Sequence, residues 1–297
     1  MEPDGKVFIS LLSSYHRRQP TKARVTEWSS TMGVDKGVVV AFATSEGDLL
    51  DRQMRTKGEA EHLRRLEKKR ERQRLARKAE NKGRKAKGLE ALRGKSKNQE
   101  KTEAQIAGMH GRCRRRRKDF TEQVSTSFAR GHRATVWAHL PVKAMTASAK
   151  GTVEEPGKNV AAKAGLNRSI LDKGWAEAER RTGEKVLRHG HLSLEVPAPY
   201  TSVTCPVPEC GYVDSSNRAT RGLFVCQRCG HTAHADINAA VEIRSRGMEL
   251  VLAGGTPVTA SLGANQGPQQ CGAEPSELSW LGSRNQETGT STVKGAA

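Results

Sequence analysis

Met32-Gly-Val-Asp-Lys-Gly-Val-Val-Val-Ala-Phe-Ala-Thr44 is a nearly continuous apolar run, rich in β-branched residues and interrupted by Asp35, Lys36 and two glycines. It reads as two buried strands with a tight break at Asp35-Lys36-Gly37. Ser45-Glu-Gly-Asp48 supplies a turn, and Leu49 to Met54 returns as a third strand. Three short consecutive strands form an antiparallel meander, which opens several α/β nuclease folds and many unrelated ones. Asp35 lies at a strand end in an apolar setting. Taken alone, a turn aspartate accounts for it better than a functional one does.

Outward from this core the pattern turns helical from about residue 58 to 130. Ile106, Met109, Cys113, Phe120, Val124 and Phe128 recur at steps of three, four or seven and form one apolar stripe, with Cys113 an ordinary member of it. An earlier helix, Glu59 to Asn81, carries a thinner stripe of Leu63, Leu66, Ala76 and Ala79, and Gly83, Gly88 and Gly94 loosen the connection. The two helices read as a basic hairpin inserted into the α/β body. Ala134 to Ala138 is a further strand, 141–158 a loop, 159–189 helical, and Leu192 to Val196 a strand stopped by Pro197 and Pro199. A short helix is expected from Asp236 to Gly247. Val7 to Leu12 is strand-like, and the Gly-, Ser-, Thr- and Gln-rich stretch 251–297 is expected to be disordered.

The net charge is +19, from 51 basic and 32 acidic side chains. Between Arg52 and Lys118 stand 26 Lys and Arg against eight acids, which leaves 25 against 24 elsewhere. So concentrated a basic segment on a near-neutral body points to a polyanionic partner, above all nucleic acid. Arg64, Arg65, Lys68, Lys69 and the run Arg114, Arg115, Arg116, Arg117, Lys118 are the expected phosphate contacts, which would neutralise backbone charge without reading sequence. Aromatic residues make up only 4% of the chain, which argues against base stacking as the main mode. No run approaches the roughly 18 apolar residues of a membrane-spanning helix, and no signal-like segment opens the chain. The expectation is a soluble cytoplasmic protein.

Cys205-Pro-Val-Pro-Glu-Cys210 and Cys226-Gln-Arg-Cys229 are two cysteine pairs 15 residues apart, each followed directly by glycine. Zinc takes four ligands in a tetrahedron, and knuckles of this spacing put paired thiolates on one ion. Four cysteines fill every position, so a structural zinc is expected rather than a catalytic one; His231 and His234 are not needed as ligands. Asp236 follows directly, where a helix-capping role explains it as readily as a functional one.

These stretches resemble the OrfB/TnpB family of insertion-sequence transposons, relatives of type V CRISPR effector nucleases. The resemblance is carried by GVDKGVVVAFATSEG, RRRRKDFTEQVSTSFAR, HLPVKAMTASAKGT, GLNRSIL, EVPAPYTS, the cysteine pairs and HADINAA, in family order from about residue 32 to 245. It implies an α/β, RNase H-like (RuvC) mixed sheet with an inserted basic helical hairpin and a zinc ribbon. It also implies an RNA-guided DNA endonuclease using magnesium, with DNA and a guide RNA from the element as partners. The family's Asp–Glu–Asp triad maps its first member to Asp35 and its third to Asp236; the second falls on Ala138, which cannot ligate a metal. His139 is adjacent but faces the other side of a strand, and Glu195 could approach only if its register allowed.

Little or no cleavage is therefore expected, and a nuclease-dead DNA- or RNA-binding protein is the alternative. A zinc-stabilised basic RNA-binding protein unrelated to nucleases would explain the charge and the cysteines but not the placed aspartates. The domain reading is 1–31 as the remnant of an N-terminal β region, 32–200 as the RuvC-like domain with the basic insertion 58–130, 201–232 as the zinc ribbon, 233–250 as the last motif and helix, and 251–297 as the tail. Family members carry a long recognition region before the first strand, so the short segment ahead of Met32 reads as a truncation.

Overall fold

The computed structural model describes residues 30–253. The strand expected at Val7 to Leu12 and the tail beyond residue 253 lie outside the described residues. The core is a mixed α/β arrangement around a five-stranded mixed sheet. Its strands are β1 (Thr31–Lys36), β2 (Phe42–Thr44), β3 (Leu49–Leu50), β4 (Ala134–His139) and β5 (Leu192–Pro197), in the order β3-β2-β1-β4-β5. β1, β2 and β3 are antiparallel neighbours, as the meander predicts, while β4 and β5 run parallel to β1.

The expected break at Asp35-Lys36-Gly37 falls later. Asp35 and Lys36 stay in the ladder opposite Ala43 and Phe42, and the chain turns only at Gly37, whose N–H bonds the Ala41 carbonyl at 3.3 Å. Asp35 is thus held by strand pairing rather than by a turn. The third strand is also shorter than expected, Leu49–Leu50.

Each face of the sheet buries a distinct set. On one side Met32, Val34, Phe42 and Trp137 meet Phe120, Val124 and Phe128 of α2 (Lys97–Gly131), Ile170 of α4 (Val160–Lys173) and Trp175 and Ala178 of α5 (Trp175–Arg188). Phe42 lies at ring contact with Phe120, Phe128 and Trp137. Each such aromatic, fully buried, contributes roughly 1.5–3 kcal/mol. The helical stretch expected over 159–189 is two helices, because Gly174 takes a left-handed φ of 71° that ends α4 and starts α5. Glu122 of α2 ties the layer together, with its carboxylate 2.6 and 3.0 Å from Arg181 and 2.7 Å from Lys185. The Arg181 guanidinium, against partial burial, and Lys185 hold its pKa down at about 2.

On the other face α6 (Ala235–Leu252) covers Val136, Ala138, Leu194 and Val196 through Ile243. α6 runs past the expected end at Gly247. A side chain at Gly247 would sit 2.4 Å from Val136, so glycine is there for close packing and does not stop the helix. The same holds at Gly33, where a Cβ would lie 2.0 Å from the Ala240 carbonyl oxygen. Two glycines let α6 lie flush on β1 and β4.

α1 (Lys57–Ala86) and α2 form the hairpin. Thr56 and Glu59 close a capping box at the start of α1. Leu63 and Leu66 pack on Ile106 and Met109, but Ala76 and Ala79 are exposed, so the apolar seam ends early. Beyond it polar contacts take over: Asn81 holds the backbone of Leu92 in the connecting loop at 2.8 and 3.3 Å, and the Gln73 amide donates to the Asn98 carbonyl of α2 at 3.3 Å. Gly88 and Gly94 take positive φ in the connecting loop. A short helix, α3 (Val142–Met145), follows β4 inside the expected loop.

Two outcomes test this packing. Gly33→Val should lower the unfolding free energy by about 3 kcal/mol or more, since the obstacle is helix backbone; denaturant titration measures it. Glu122 is a carboxylate with a depressed native pKa, so it contributes stability above the ordinary carboxylate range that is lost as pH falls toward 2. Glu122→Gln should therefore show a shallower decline in stability between about pH 4.5 and 2 in acid titrations of unfolding.

Candidate functional site

The carboxyl ends of β1 and β4 and the start of α6 enclose an open cleft of about 550 Å³. Asp35, Ala138 and Asp236 all line it. Val34 pairs with Trp137 across parallel strands, so the next step sets Ala138 beside Asp35, on the face covered by α6. Asp236 reaches the cleft from the first turn of α6, where the His234 ring accepts its backbone N–H at 3.3 Å. Burial, and then the charge of Asp236, push the Asp35 pKa up to about 6, against the Lys36 amide and the charges of Arg218 and Lys36. Two aspartates distant in sequence therefore share one cleft and repel each other there.

Arg218 is the site residue that the sequence reading missed. Its Nη2 donates to Asp236 Oδ1 at 3.2 Å and to the Arg221 carbonyl at 3.1 Å, and Arg218 and Arg221 line the same cleft. The adjacent Asn217 is fully buried. Its amide donates to the carbonyls of Val203 and Tyr212, and its oxygen accepts the Gln227 N–H at 2.9 Å. The signal was an Asn-Arg pair midway between the two cysteine pairs.

Glu195 does not reach Asp35. It pairs in register with Trp137, so it shares the opposite face of the sheet, where its carboxylate meets His139 Nδ1 at 2.7 Å. Lys36 Nζ donates to Glu179 at 2.8 Å on that same side and lies 5.7 Å from the Trp137 ring centre. Burial pushes Glu179 up to about 7 despite Lys36. Glu195, against its own burial, is held below the usual range by Glu179 and His139. This cluster neutralises itself and contributes no ligand to the cleft.

The four cysteines form a second centre. Their sulfur atoms all lie within 4.8 Å of one another, with Cys205–Cys229 at 3.6 Å and Cys210–Cys226 at 3.7 Å. Zinc–sulfur bonds of about 2.3 Å in a tetrahedron give edges of about 3.8 Å. The cluster could hold a metal such as zinc. Gly211 and Gly230 take φ of 53° and 75° and turn the chain directly after each pair. Burial raises the Cys205 thiol. At Cys226 the N–H groups of Cys229 and Arg228, with neighbouring thiols, outweigh burial and bring the pKa down to about 6. Cys226 and Cys229 sit between the antiparallel strands β6 (Leu223–Val225) and β7 (Thr232–His234), and β7 runs straight into α6.

The basic residues divide. Arg64, Arg65, Lys68 and Lys69 are exposed on α1, and Arg114 and Lys118 are exposed on α2, with Arg115 half-buried. Arg116 is committed inward, forking onto Glu59 at 2.6 and 3.0 Å, and Arg117 onto Asp172 at 2.5 Å.

A family model described as Cas12f1-like, TNB domain matches residues 175–243. The chain is 35% identical over 266 residues to the putative RNA-guided DNA endonuclease InsQ of Escherichia coli (strain K12), covering 90% of this chain and 60% of InsQ. It is 25% identical to a putative RNA-guided DNA endonuclease of Streptomyces pristinaespiralis, over 82% of this chain and 50% of that protein. The solved Cas12f1–sgRNA–target DNA complex aligns with 73% of this chain and 50% of the other at 16% identity and a TM-score of 0.39.

If the cysteines bind zinc, the purified chain should carry about one equivalent by elemental analysis. Cys226→Ser should lose it, together with hydrogen-exchange protection between residues 203 and 234. Full protection in the metal-free variant would show the module to be held by packing alone.

Proposed function

We propose that this chain, a TnpB-like protein homologous to InsQ, binds DNA and a guide RNA on an RNase H-like (RuvC-type) core and is deficient in strand cleavage. In this reading residues 32–200 are the nuclease-like body, 58–130 its basic helical insertion, 201–232 a zinc ribbon and 233–250 the last motif. InsQ is a putative RNA-guided DNA endonuclease, and this chain spans 60% of its length.

Ala138 beside Asp35 carries the cleavage deficiency. Phosphodiester hydrolysis of this type uses two divalent cations about 4 Å apart, held by converging carboxylates. Asp35 and Asp236 offer hard oxygen donors in one cleft. That donor set fits one magnesium ion with its waters, not two. Magnesium, when bound, would supply Lewis acidity at a phosphate oxygen. The chain's own contribution is narrower: Arg218 fixes Asp236 and offers a guanidinium for a phosphate, and Ala138 leaves an apolar gap where a third carboxylate would stand.

Arg64, Arg65, Lys68, Lys69, Arg114, Arg115 and Lys118 would follow a nucleic-acid backbone. Arg116 and Arg117 would position the helices from within, through Glu59 and Asp172.

With guide RNA and magnesium, the natural chain should cleave target DNA at background rate, and Ala138→Glu should be at least about tenfold faster. Equal cleavage by both would overturn the deficiency. Nucleic-acid affinity should fall steeply as salt rises, and a flat response would overturn the backbone-binding mode.

A further inference from the structure

The acid cleft continues as a groove along α4. Its wall at Val38 passes into a depression bordered by Ser169 and Lys173, which opens at Arg55 and Asp172 into two adjoining cavities of about 480 and 300 Å³ at the base of the hairpin. Four cationic or ionisable groups from four elements meet there: Arg55 from the link between β3 and α1, Arg64 from α1, His110 from α2 and Arg168 from α4. Leu63 and Leu171 form an apolar floor, and Leu171 is 54% exposed.

Elsewhere in and around the hairpin the arginines find acids, as in Arg74–Glu71, Arg93–Glu90 and Arg116–Glu59. Among the described residues, Arg55, Arg64 and Arg168 have no hydrogen-bond or ion-pair partner, and the Arg55 Nε–H is buried without an acceptor. Asp172 lies on the wall but is already taken by Arg117, which leaves Glu67 as the one acid facing three guanidinium groups. Such convergence of like charge costs free energy that a bound anion removes. Planar guanidinium forks match phosphate oxygens in pairs.

We propose that this cavity is a metal-independent site for one nucleotide of a single-stranded nucleic acid, its phosphate on Arg55, Arg64 and Arg168 and its base or sugar over Leu63 and Leu171. The strand continues along α4 toward Asp35 and Asp236. The cavity has room for one small ligand and not for a duplex. The inference rests on the reading of this chain as a nucleic-acid binder, and it locates a site in which Arg55 and Arg168, from outside the hairpin helices, join the hairpin's Arg64.

The test uses the full chain in magnesium-free buffer, with a fluorescein-labelled 20-nucleotide oligodeoxythymidine and a duplex of equal length as probes. The double variant Arg55→Gln/Arg168→Gln should lose about ten- to a hundredfold in single-strand affinity, with a salt slope shallower by about 2, and should lose much less on the duplex. Leu171→Glu, at an exposed position that leaves the core untouched, should produce the same selective loss if the arginine variant is unstable. Lys68→Gln/Lys69→Gln should weaken both probes alike.

Unchanged single-strand binding in the cavity variants, with weakening in the lysine variant, would overturn the cavity and leave the nucleic-acid reading standing. No effect in either would overturn both. Displacement of the oligonucleotide by inorganic phosphate beyond what chloride of equal ionic strength achieves would assign the cavity to free phosphate and overturn the strand. Matched displacement supports the strand.

Discussion

The absence of a side chain at Gly33 is the constraint on which the acid cleft depends. α6 crosses β1 so closely that its own backbone occupies the space a Cβ would need. Because interiors are close-packed and barely compressible, that contact fixes the start of α6 over the end of β1. Asp236 therefore arrives beside Asp35, some 200 residues away in sequence. Gly247 repeats the device one strand over, against Val136. The cysteine module is carried along, since β7 continues without a break into α6 and delivers Arg218 to Asp236.

Electrostatics then separates the two faces of the sheet. On the α6 face, two aspartates and Arg218 line an open cleft, where burial and the charge of Asp236 push the Asp35 pKa up to about 6. On the other face, the buried pair Lys36 and Glu179 adjoins Glu195, which meets the exposed His139 at its outer edge. Asp35 and Lys36 are adjacent in sequence yet belong to different chemistry, because neighbouring strand residues point to opposite sides. The same parity removes Glu195 from consideration as a substitute for the residue at 138.

Much of the site was legible in the chain. The cysteine spacing anticipated a cluster, and the β-branched run anticipated the meander. The apolar stripe from Ile106 to Phe128 anticipated a helix that buries every residue it named, Cys113 among them, along with polar and small neighbours such as Thr102, Thr121 and Ser125 that it did not. Less legible was whatever depended on what lies opposite. Ala76 and Ala79 fit the helical period but are exposed among the described residues. Gly247 read as a stop and is a close-packing position inside a helix. Arg116 and Arg117 read as members of a basic run and instead pair with Glu59 and Asp172.

The amino-acid sequence by itself determined the main strands and helices, the metal-type cysteine spacing and the location of the positive charge. All of these are properties of residue type and short-range periodicity, which a chain carries whatever its fold. Tertiary structure alone decided which groups face one another: Arg218 on Asp236, Glu195 turned away, and Arg55, Arg64 and Arg168 gathered around one cavity. Register, strand parity and helix approach set those distances, and they are fixed only when remote segments pack.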